Sequence, residues 1–216
     1  MGDSMKRFLL DLIFPTRCPC CNGIIAYNDD FCDKCREKLH KYTGSHTIEN
    51  CDEAYAVCFY DDAIKPAIFL MKDGIGGNAP YAFALGMNRI ISEKKISADI
   101  IVPVPMFRPL HSVREYNQCI LIAKELSKMC GIAWNDRAVA KIRQTPQQKN
   151  LGYAERLKNL EGAFSADEKI VKGKRILLID DISTTGTTLK EVSSALKSVG
   201  ADYICALTYC KTDKKL

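Results

Sequence analysis

The stretch from Ile176 to Val192 constrains the fold more than any other part of the sequence. It begins as an apolar run, continues with the adjacent acids Asp180 and Asp181, and ends in threonines placed around one glycine, Gly186. The apolar run favours a buried strand, and the residues after the glycine favour a helix that ends at Gly200. A strand that leads directly into a helix is the local pattern of a parallel α/β sheet.

The chain after about residue 50 alternates in the same way. Apolar runs at 54–60, 99–105, 173–181 and 203–210 favour strands, and segments 63–74, 80–94, 116–131 and 186–200 favour helices. Because the strands are almost continuously apolar, we predict a mainly parallel sheet that helices cover on both faces. A length of 216 residues leaves room for one such α/β domain and a small appendage.

The appendage is predicted from paired cysteines near the N-terminus. Two Cys-x-x-Cys pairs stand ten residues apart, and each pair lets two thiolates converge on one metal ion from a tight turn. The predicted zinc ligands are Cys18, Cys21, Cys32 and Cys35. A closed Cys₄ site of this kind is structural, so we expect no chemistry there. The alternatives are reduced thiols that are paired by chance, or a ligand set that includes Cys20.

Residues 1–50 alone could bury little apolar surface, so a structural zinc ion would supply the missing free energy of folding. We therefore predict a zinc-finger domain over residues 1–50 and an α/β domain over residues 51–216. We therefore interpret the eleven cysteines as metal ligands and buried thiols rather than as disulfides.

No stretch of the sequence has the roughly 18 consecutive apolar residues of a transmembrane helix. The apolar segment Phe8–Phe14 is short and is interrupted by Asp11, which favours an amphipathic helix over a signal peptide. These features predict a cytoplasmic protein without a membrane span.

The positive charge is concentrated in one internal segment. The formal net charge of the chain is +5, and the segment from Pro105 to Arg175 holds 14 Lys and Arg residues against 7 Asp and Glu residues, a surplus of 7. This surplus favours an anionic ligand, phosphate or nucleic acid, near the segment. A solvated surface of mixed charge is the alternative.

The loop between the apolar run and the following helix is suited to a phosphate group. Gly186 allows successive N–H groups to turn inward, and the helix start adds free N–H groups and a positive dipole end. The predicted phosphate-binding residues are Ser183, Thr184, Thr185, Gly186, Thr187 and Thr188. A helix-capping cluster explains one acid and one threonine, but hardly two acids and four threonines. The loop lacks the pattern of a Walker motif.

Asp180 and Asp181 precede this loop, and carboxylates accept hydrogen bonds from vicinal hydroxyl groups such as those of ribose. A 5-phosphoribosyl group would place its phosphate in the loop and its 2′ and 3′ hydroxyls on the two acids. Such a ligand, or a metal ion that it carries, would offset the repulsion between the carboxylates.

Four motifs together resemble a known family. "LLIDDISTTGTT" resembles the ribose-phosphate signature of type I phosphoribosyltransferases, and "IVPVPMFRPLHSVREYNQ" resembles a strand and loop that end in Arg-Gly-Phe-Asn-Gln. "RQTPQQKNLGYAERLKNLEGAF" and the cysteine pairs complete the pattern of the ComF family of competence proteins, of the ComFC type. The resemblance implies the type I phosphoribosyltransferase fold over most of the chain. Glu115 departs from the family, which usually has glycine there.

The resemblance implies 5-phosphoribosyl-1-pyrophosphate with Mg²⁺ as the ligand, and displacement of pyrophosphate at the anomeric carbon as the reaction. Asp180 and Asp181 would then hold the ribose close to the developing positive charge. Cations that could meet the pyrophosphate are Lys72, Arg108, Arg114, Arg143, Lys149 and Arg156, each of which is equally compatible with a plain surface role. Segment 144–158 is expected to be a flap over the ligand or an ordinary exposed connection.

Two other functions remain open at this point. The resemblance links the family to natural transformation, so the protein could be a non-catalytic component that binds single-stranded DNA and competence proteins. Phe107, Tyr116 and Tyr153 among the basic residues are compatible with base stacking, although they are equally compatible with a core. A regulatory protein that binds the phosphoribosyl ligand without turnover is the third possibility.

Overall fold

The computed structural model describes residues 11, 13–72, 77–107, 117–145 and 160–212. Its strands are β1 (Glu53–Phe59), β2 (Ile100–Pro103), β3 (Val139–Lys141), β4 (Phe164–Ala166), β5 (Arg175–Ser183) and β6 (Tyr203–Lys211). Its helices are α1 (Asp33–Arg36), α2 (Lys65–Lys72), α3 (Ala79–Lys94), α4 (Gln118–Cys130), α5 (Glu168–Val171) and α6 (Thr187–Ser198). Among these residues, no helix is both long and apolar enough to cross a membrane.

The main sheet has the strand order β1-β6-β5-β2, and every neighbouring pair is parallel. This arrangement confirms the predicted parallel sheet. Strand β5 continues to Ser183, two residues past the end of the predicted segment 173–181, because β6 stays paired with it as far as the partners Ser183 and Lys211. Asp180 and Asp181 therefore lie inside the strand, and Ser183, which was predicted to be part of the loop, is the last residue of the strand.

Alternate residues of β5 fill two separate cores, one on each face of the sheet. Leu177 and Ile179 belong to the core that α2, α3 and α4 cover, whereas Ile176 and Leu178 belong to the core beneath α6. Burial on both faces explains why the strand is continuously apolar and does not alternate with polar residues.

The second core also packs against a small antiparallel sheet that the sequence pattern did not predict. Strands β3 and β4 pair with Val139 opposite Ala166, and each strand has only three residues. Strands this short give no readable alternation, so their existence depends on tertiary contacts such as the burial of Val139 and Phe164.

The N-terminal unit packs directly on the α/β domain. Phe31 is buried in the same core as α2 and α3, and the buried Asp30 forms ion pairs with Arg36 and with Arg89 of α3. The chain then runs along the free edge of β1, where Tyr42 donates a backbone hydrogen bond to Val57. The zinc-ligand region is therefore fixed against the sheet.

Candidate functional site

A cleft of ≈ 280 Å³ opens at the carboxyl ends of the parallel strands, the edge of an α/β sheet where ligands bind. All residues from Asp180 to Leu189 line it, and Lys72 of α2 closes one side. Tyr60 and Thr212 complete the lining. The sequence analysis missed these last two residues, although each directly follows a strand, β1 or β6, and could have been found from that position.

The loop between β5 and α6 has the backbone shape expected of a phosphate site. Gly186 caps the helix with φ +80°, in the left-handed region that favours glycine, and α6 begins at Thr187. The first N–H groups of a helix have no partner within the helix, and in α6 the N–H of Thr187 donates instead to Thr185 Oγ1 at 3.4 Å, on the lining of the cleft. The Oγ1 atoms of Thr185 and Thr187 lie 2.8 Å apart at the same point.

The loop is held from beneath by Lys211, the last residue of β6. The Lys211 ammonium group donates a hydrogen bond of 2.7 Å to the carbonyl oxygen of Thr184. Lys211 is buried, with 9% of its surface exposed. The neighbouring hydroxyl of Ser183 is buried and has no hydrogen-bond partner among the described residues. A buried hydroxyl without a partner is costly, and it marks this region as one where a bound group would complete the bonding.

The two aspartates lie in different environments. Burial, followed by the charge of Asp181, raises the pKa of Asp180 well above its ordinary value. The Asp180 Oδ1 atom accepts the backbone N–H of Asp181 at 2.9 Å, and the Asp181 Oδ1 atom accepts that of Ile182 at 2.7 Å. Asp181 also faces Lys72, whose Nζ lies 4.0 Å from Asp181 Oδ2. The cleft thus brings together two acids, the cation of Lys72 and the hydroxyl groups of the loop.

Not every predicted ligand residue reaches this cleft. Arg143 is absent from its lining, and its guanidinium donates a hydrogen bond to the carbonyl oxygen of Glu161. Arg108, Arg114, Lys149 and Arg156, with Glu115, lie outside the described residues. Asn117 caps α4, because its side chain accepts the N–H of Cys119 at 2.9 Å.

The predicted zinc ligands form one cluster. The Sγ atoms of Cys18, Cys21, Cys32 and Cys35 all lie within 4.8 Å of one another, and Cys20 is not part of the group. Thiolates around one Zn²⁺ ion lie roughly 3.8 Å apart, as follows from a tetrahedron with bonds of about 2.3 Å, so the cluster fits zinc.

The first knuckle turn also has the geometry that a metal site needs. Asn22 adopts φ +62°, and its N–H donates to the carbonyl oxygen of Cys18. The backbone N–H of Gly23, above all, lowers the pKa of the Cys21 thiol to about 7. Burial raises the pKa of the Cys20 thiol, which lies outside the cluster, to about 12, and burial also raises the pKa of the Cys35 thiol within it.

Comparisons with known proteins agree with both parts of the molecule. Residues 119–215 match the family model described as the phosphoribosyl transferase domain, and residues 9–52 match the double zinc ribbon domain. Competence protein ComFC of Bacillus subtilis is 26% identical over 209 residues, which cover 82% of this chain and 82% of that protein. The chain is therefore homologous to the ComF competence proteins. Its fold is accordingly that of a type I phosphoribosyltransferase with an N-terminal zinc ribbon, as the sequence predicted.

Other relatives of the chain are named DNA utilization protein YhgH. The Salmonella typhi protein is 33% identical over 114 residues, which cover 53% of this chain and only 50% of that protein. The Escherichia coli K12 protein is 26% identical over 202 residues, or 91% of this chain and 85% of that protein.

Among solved structures, glutamine phosphoribosylpyrophosphate amidotransferase from B. subtilis, complexed with ADP and GMP, superposes with a TM-score of 0.44 at 22% identity. The superposition covers 62% of this chain and 27% of that chain. A score of this size does not assign a fold, so the assignment rests on the sheet topology and on the domain matches.

Proposed function

We propose that this homologue of the ComF competence proteins binds 5-phosphoribosyl-1-pyrophosphate with Mg²⁺ and transfers the phosphoribosyl group to an acceptor. One observation carries the proposal: the adjacent acids Asp180 and Asp181 line the same cleft as the Gly186 turn and the first turn of α6. This set offers acceptors for two ribose hydroxyls and donors for a phosphate within one strand-to-helix connection.

Each group in the cleft has a separate part in the proposed reaction. The N–H groups and hydroxyls of Thr184–Thr188 would hold the 5′-phosphate, and the two aspartates would hold the ribose. Lys72 would meet the pyrophosphate at the far end. The Mg²⁺ ion, carried by the pyrophosphate oxygens, would neutralise the charge of the leaving group. Catalysis would then depend on positioning and on carboxylate charge near the anomeric carbon, with no covalent residue.

The test is a calorimetric titration of the zinc-loaded protein with phosphoribosyl pyrophosphate and Mg²⁺. The variant that carries both Asp180→Ala and Asp181→Ala is titrated beside it. Saturable binding by the wild type that the double variant loses supports the proposal. A folded wild type that gives no binding heat contradicts it. Turnover is then assayed with candidate bases, and binding without turnover of any base would leave a regulatory role.

Binding of single-stranded DNA is the second candidate function. It is supported by the names of the relatives, which refer to DNA utilization and competence, and by the surplus of basic residues between Pro105 and Arg175. Phosphate contacts make such binding weaken steeply as salt rises. Salt-dependent binding of a single-stranded oligonucleotide that survives loss of Asp180 and Asp181 would favour this function, and binding that the variant loses would count against it.

A further inference from the structure

Cys119 is the second residue of α4. Its side chain contacts Asp180, one of the two acids of the cleft. Its Sγ atom lies 3.3 Å from Asp180 Oδ1, and the residue is 5% exposed. Burial, followed by the charge of Asp180, raises the pKa of the Cys119 thiol well above its ordinary value. The thiol therefore stays protonated and donates an S–H hydrogen bond to the carboxyl.

Cys119 is itself held in place by the helix cap. The buried Asn117 side chain accepts the N–H of Cys119 at 2.9 Å and donates to the carbonyl oxygen of Val104 at 2.8 Å. Val104 follows β2, and its N–H is bonded to the carbonyl oxygen of Ile179 on β5. A continuous series of hydrogen bonds thus connects the Asp180 carboxyl, by way of Cys119, Asn117 and Val104, with the backbone of Ile179, the residue before Asp180.

Few ionisable groups face the Asp180 carboxyl among the described residues. Asp181 is its neighbour on β5, and Cys119 faces it from α4. Lys72 of α2 lies near Asp181, with its Nζ atom 4.0 Å from Asp181 Oδ2. The neighbouring strand β6 places Thr208 beside it, which does not titrate. On the β2 side, Pro103 pairs with Ile179 and adds no ionisable group.

Asp180 Oδ1 accepts two hydrogen bonds, from the Cys119 thiol and from the backbone N–H of Asp181. We propose that Cys119 is a positioning residue, which fixes the plane of the Asp180 carboxyl so that Oδ2 is presented to a ribose hydroxyl in the cleft. This inference rests on the proposed function and extends it to a residue outside the strand-to-helix motif. A donor that holds one carboxyl oxygen reduces the rotational freedom lost when the other oxygen binds.

The test compares two ligands that differ by the sugar, inorganic phosphate and ribose 5-phosphate. Phosphate reports on the loop alone, whereas ribose 5-phosphate also engages the acids. We expect Cys119→Ala to weaken ribose 5-phosphate binding by roughly five-fold, the size of one modest hydrogen bond, with phosphate binding unchanged. Cys119→Ser, which keeps a donor, should restore most of the affinity. Cys130→Ala, at the other end of α4, is the matched control and should bind both ligands as the wild type does.

Each remaining result has a definite meaning. Equal losses for both ligands in Cys119→Ala, or no loss for either, overturn the positioning role. A wild type that binds ribose 5-phosphate no better than phosphate contradicts the proposed function itself, so the two failures are distinguishable. If Cys119→Ala folds poorly, Cys119→Val takes its place: valine fills the buried site without a donor, and it must weaken ribose 5-phosphate binding while phosphate binding stays unchanged.

Discussion

Ile48 packs against Gly186, and a Cβ atom on that glycine would stand 3.4 Å from Ile48 Cγ1. Ile48 is buried and lies in the linker between the zinc cluster and β1. The next residue, Glu49, forms an ion pair with Lys190 in the first turn of α6. The linker of the zinc-binding unit therefore supports the proposed phosphate loop from behind, although the two regions are far apart in sequence.

Substitution of the loop glycine should impair both stability and binding. Gly186→Ala forces a side chain into φ +80° and crowds Ile48, so we expect a loss of about 1–2 kcal/mol in the free energy of unfolding together with at least ten-fold weaker phosphate binding. Gly131→Ala is the control, because Gly131 has φ +74° with nothing within 4 Å and lies outside the cleft. Denaturant unfolding should show a loss for both variants, and titration with phosphate only for Gly186→Ala. Unchanged binding in Gly186→Ala would contradict the assigned loop geometry.

Removal of zinc should weaken ligand binding in the cleft, because the same linker connects the two regions. We expect a chelator to disorder the N-terminal unit and to weaken ribose 5-phosphate binding, because Ile48 and Glu49 lose their support. Metal content is measured by mass spectrometry and binding by calorimetry before and after zinc is returned. Cys20→Ser should retain zinc, because Cys20 lies outside the cluster. Full ligand affinity in the zinc-free protein would show that the loop does not depend on the linker.

The sequence predicted those parts of the site that lie in one continuous stretch. Asp180 to Thr188 could be proposed as site residues because strand, acids, glycine and helix follow one another along the chain. The contact of Cys119 with Asp180 joins residues 61 positions apart, and it exists only because α4 packs beside β5. Lys211 beneath Thr184 was missed for the same reason, since nothing in "YICALTYCK" indicates where its ammonium group lies. Long-range packing, which local patterns do not encode, decides such contacts.

The ion-pair cluster of Asp30 should be a main contributor to the stability of the N-terminal unit. Asp30 Oδ1 lies 2.8 Å from Arg36 and its Oδ2 lies 2.6 Å from Arg89, while its side chain is only 4% exposed. Asp30→Asn removes the buried carboxylate that Arg36 and Arg89 share and leaves Arg36 with the acidic partners Asp29 and Asp33, so we expect a loss of about 2–4 kcal/mol. Asp33→Asn, at an exposed partner of Arg36, should cost less than about 1 kcal/mol. Chemical denaturation measures both losses, and equal values would contradict a special role for Asp30.

The stability that Asp30 contributes should disappear in acid. Burial acts to raise its pKa, but the hydrogen bond from Arg36 and the other contacts outweigh burial and lower the pKa below the ordinary 3.8. The folded protein thus releases this proton at a lower pH than the unfolded chain does. The contribution is present above about pH 3.8 and is lost as the pH falls through the lower folded value. The difference in the free energy of unfolding between the wild type and Asp30→Asn should therefore become smaller as the pH falls through that range.

Asp180 should show the opposite pH dependence. Its pKa is raised, so with respect to this group the fold is most stable below pH 3.8 and loses stability as the pH rises through the folded value. Asp180→Asn cannot ionise, and we expect it to be about 1–2 kcal/mol more stable than the wild type at pH 8 while it binds ribose 5-phosphate more weakly. The gain in stability should shrink toward pH 4. If Asp180→Asn is less stable than the wild type at pH 8, the ionised carboxyl does not destabilise the fold.

Lys72 should distinguish the pyrophosphate end of the cleft from the ribose end. Its Nζ lies 4.0 Å from Asp181 Oδ2, so a ligand that carries pyrophosphate would meet this cation next to the acids. We expect Lys72→Ala to weaken phosphoribosyl pyrophosphate binding about ten-fold or more, but ribose 5-phosphate binding only about two-fold, since the second ligand lacks the group that Lys72 would contact. Lys65→Ala, on the same helix but paired with Asp62 at the surface, is the matched control and should leave both affinities unchanged. Equal losses for the two ligands in Lys72→Ala would mean that the lysine acts through Asp181 alone and that the pyrophosphate lies elsewhere.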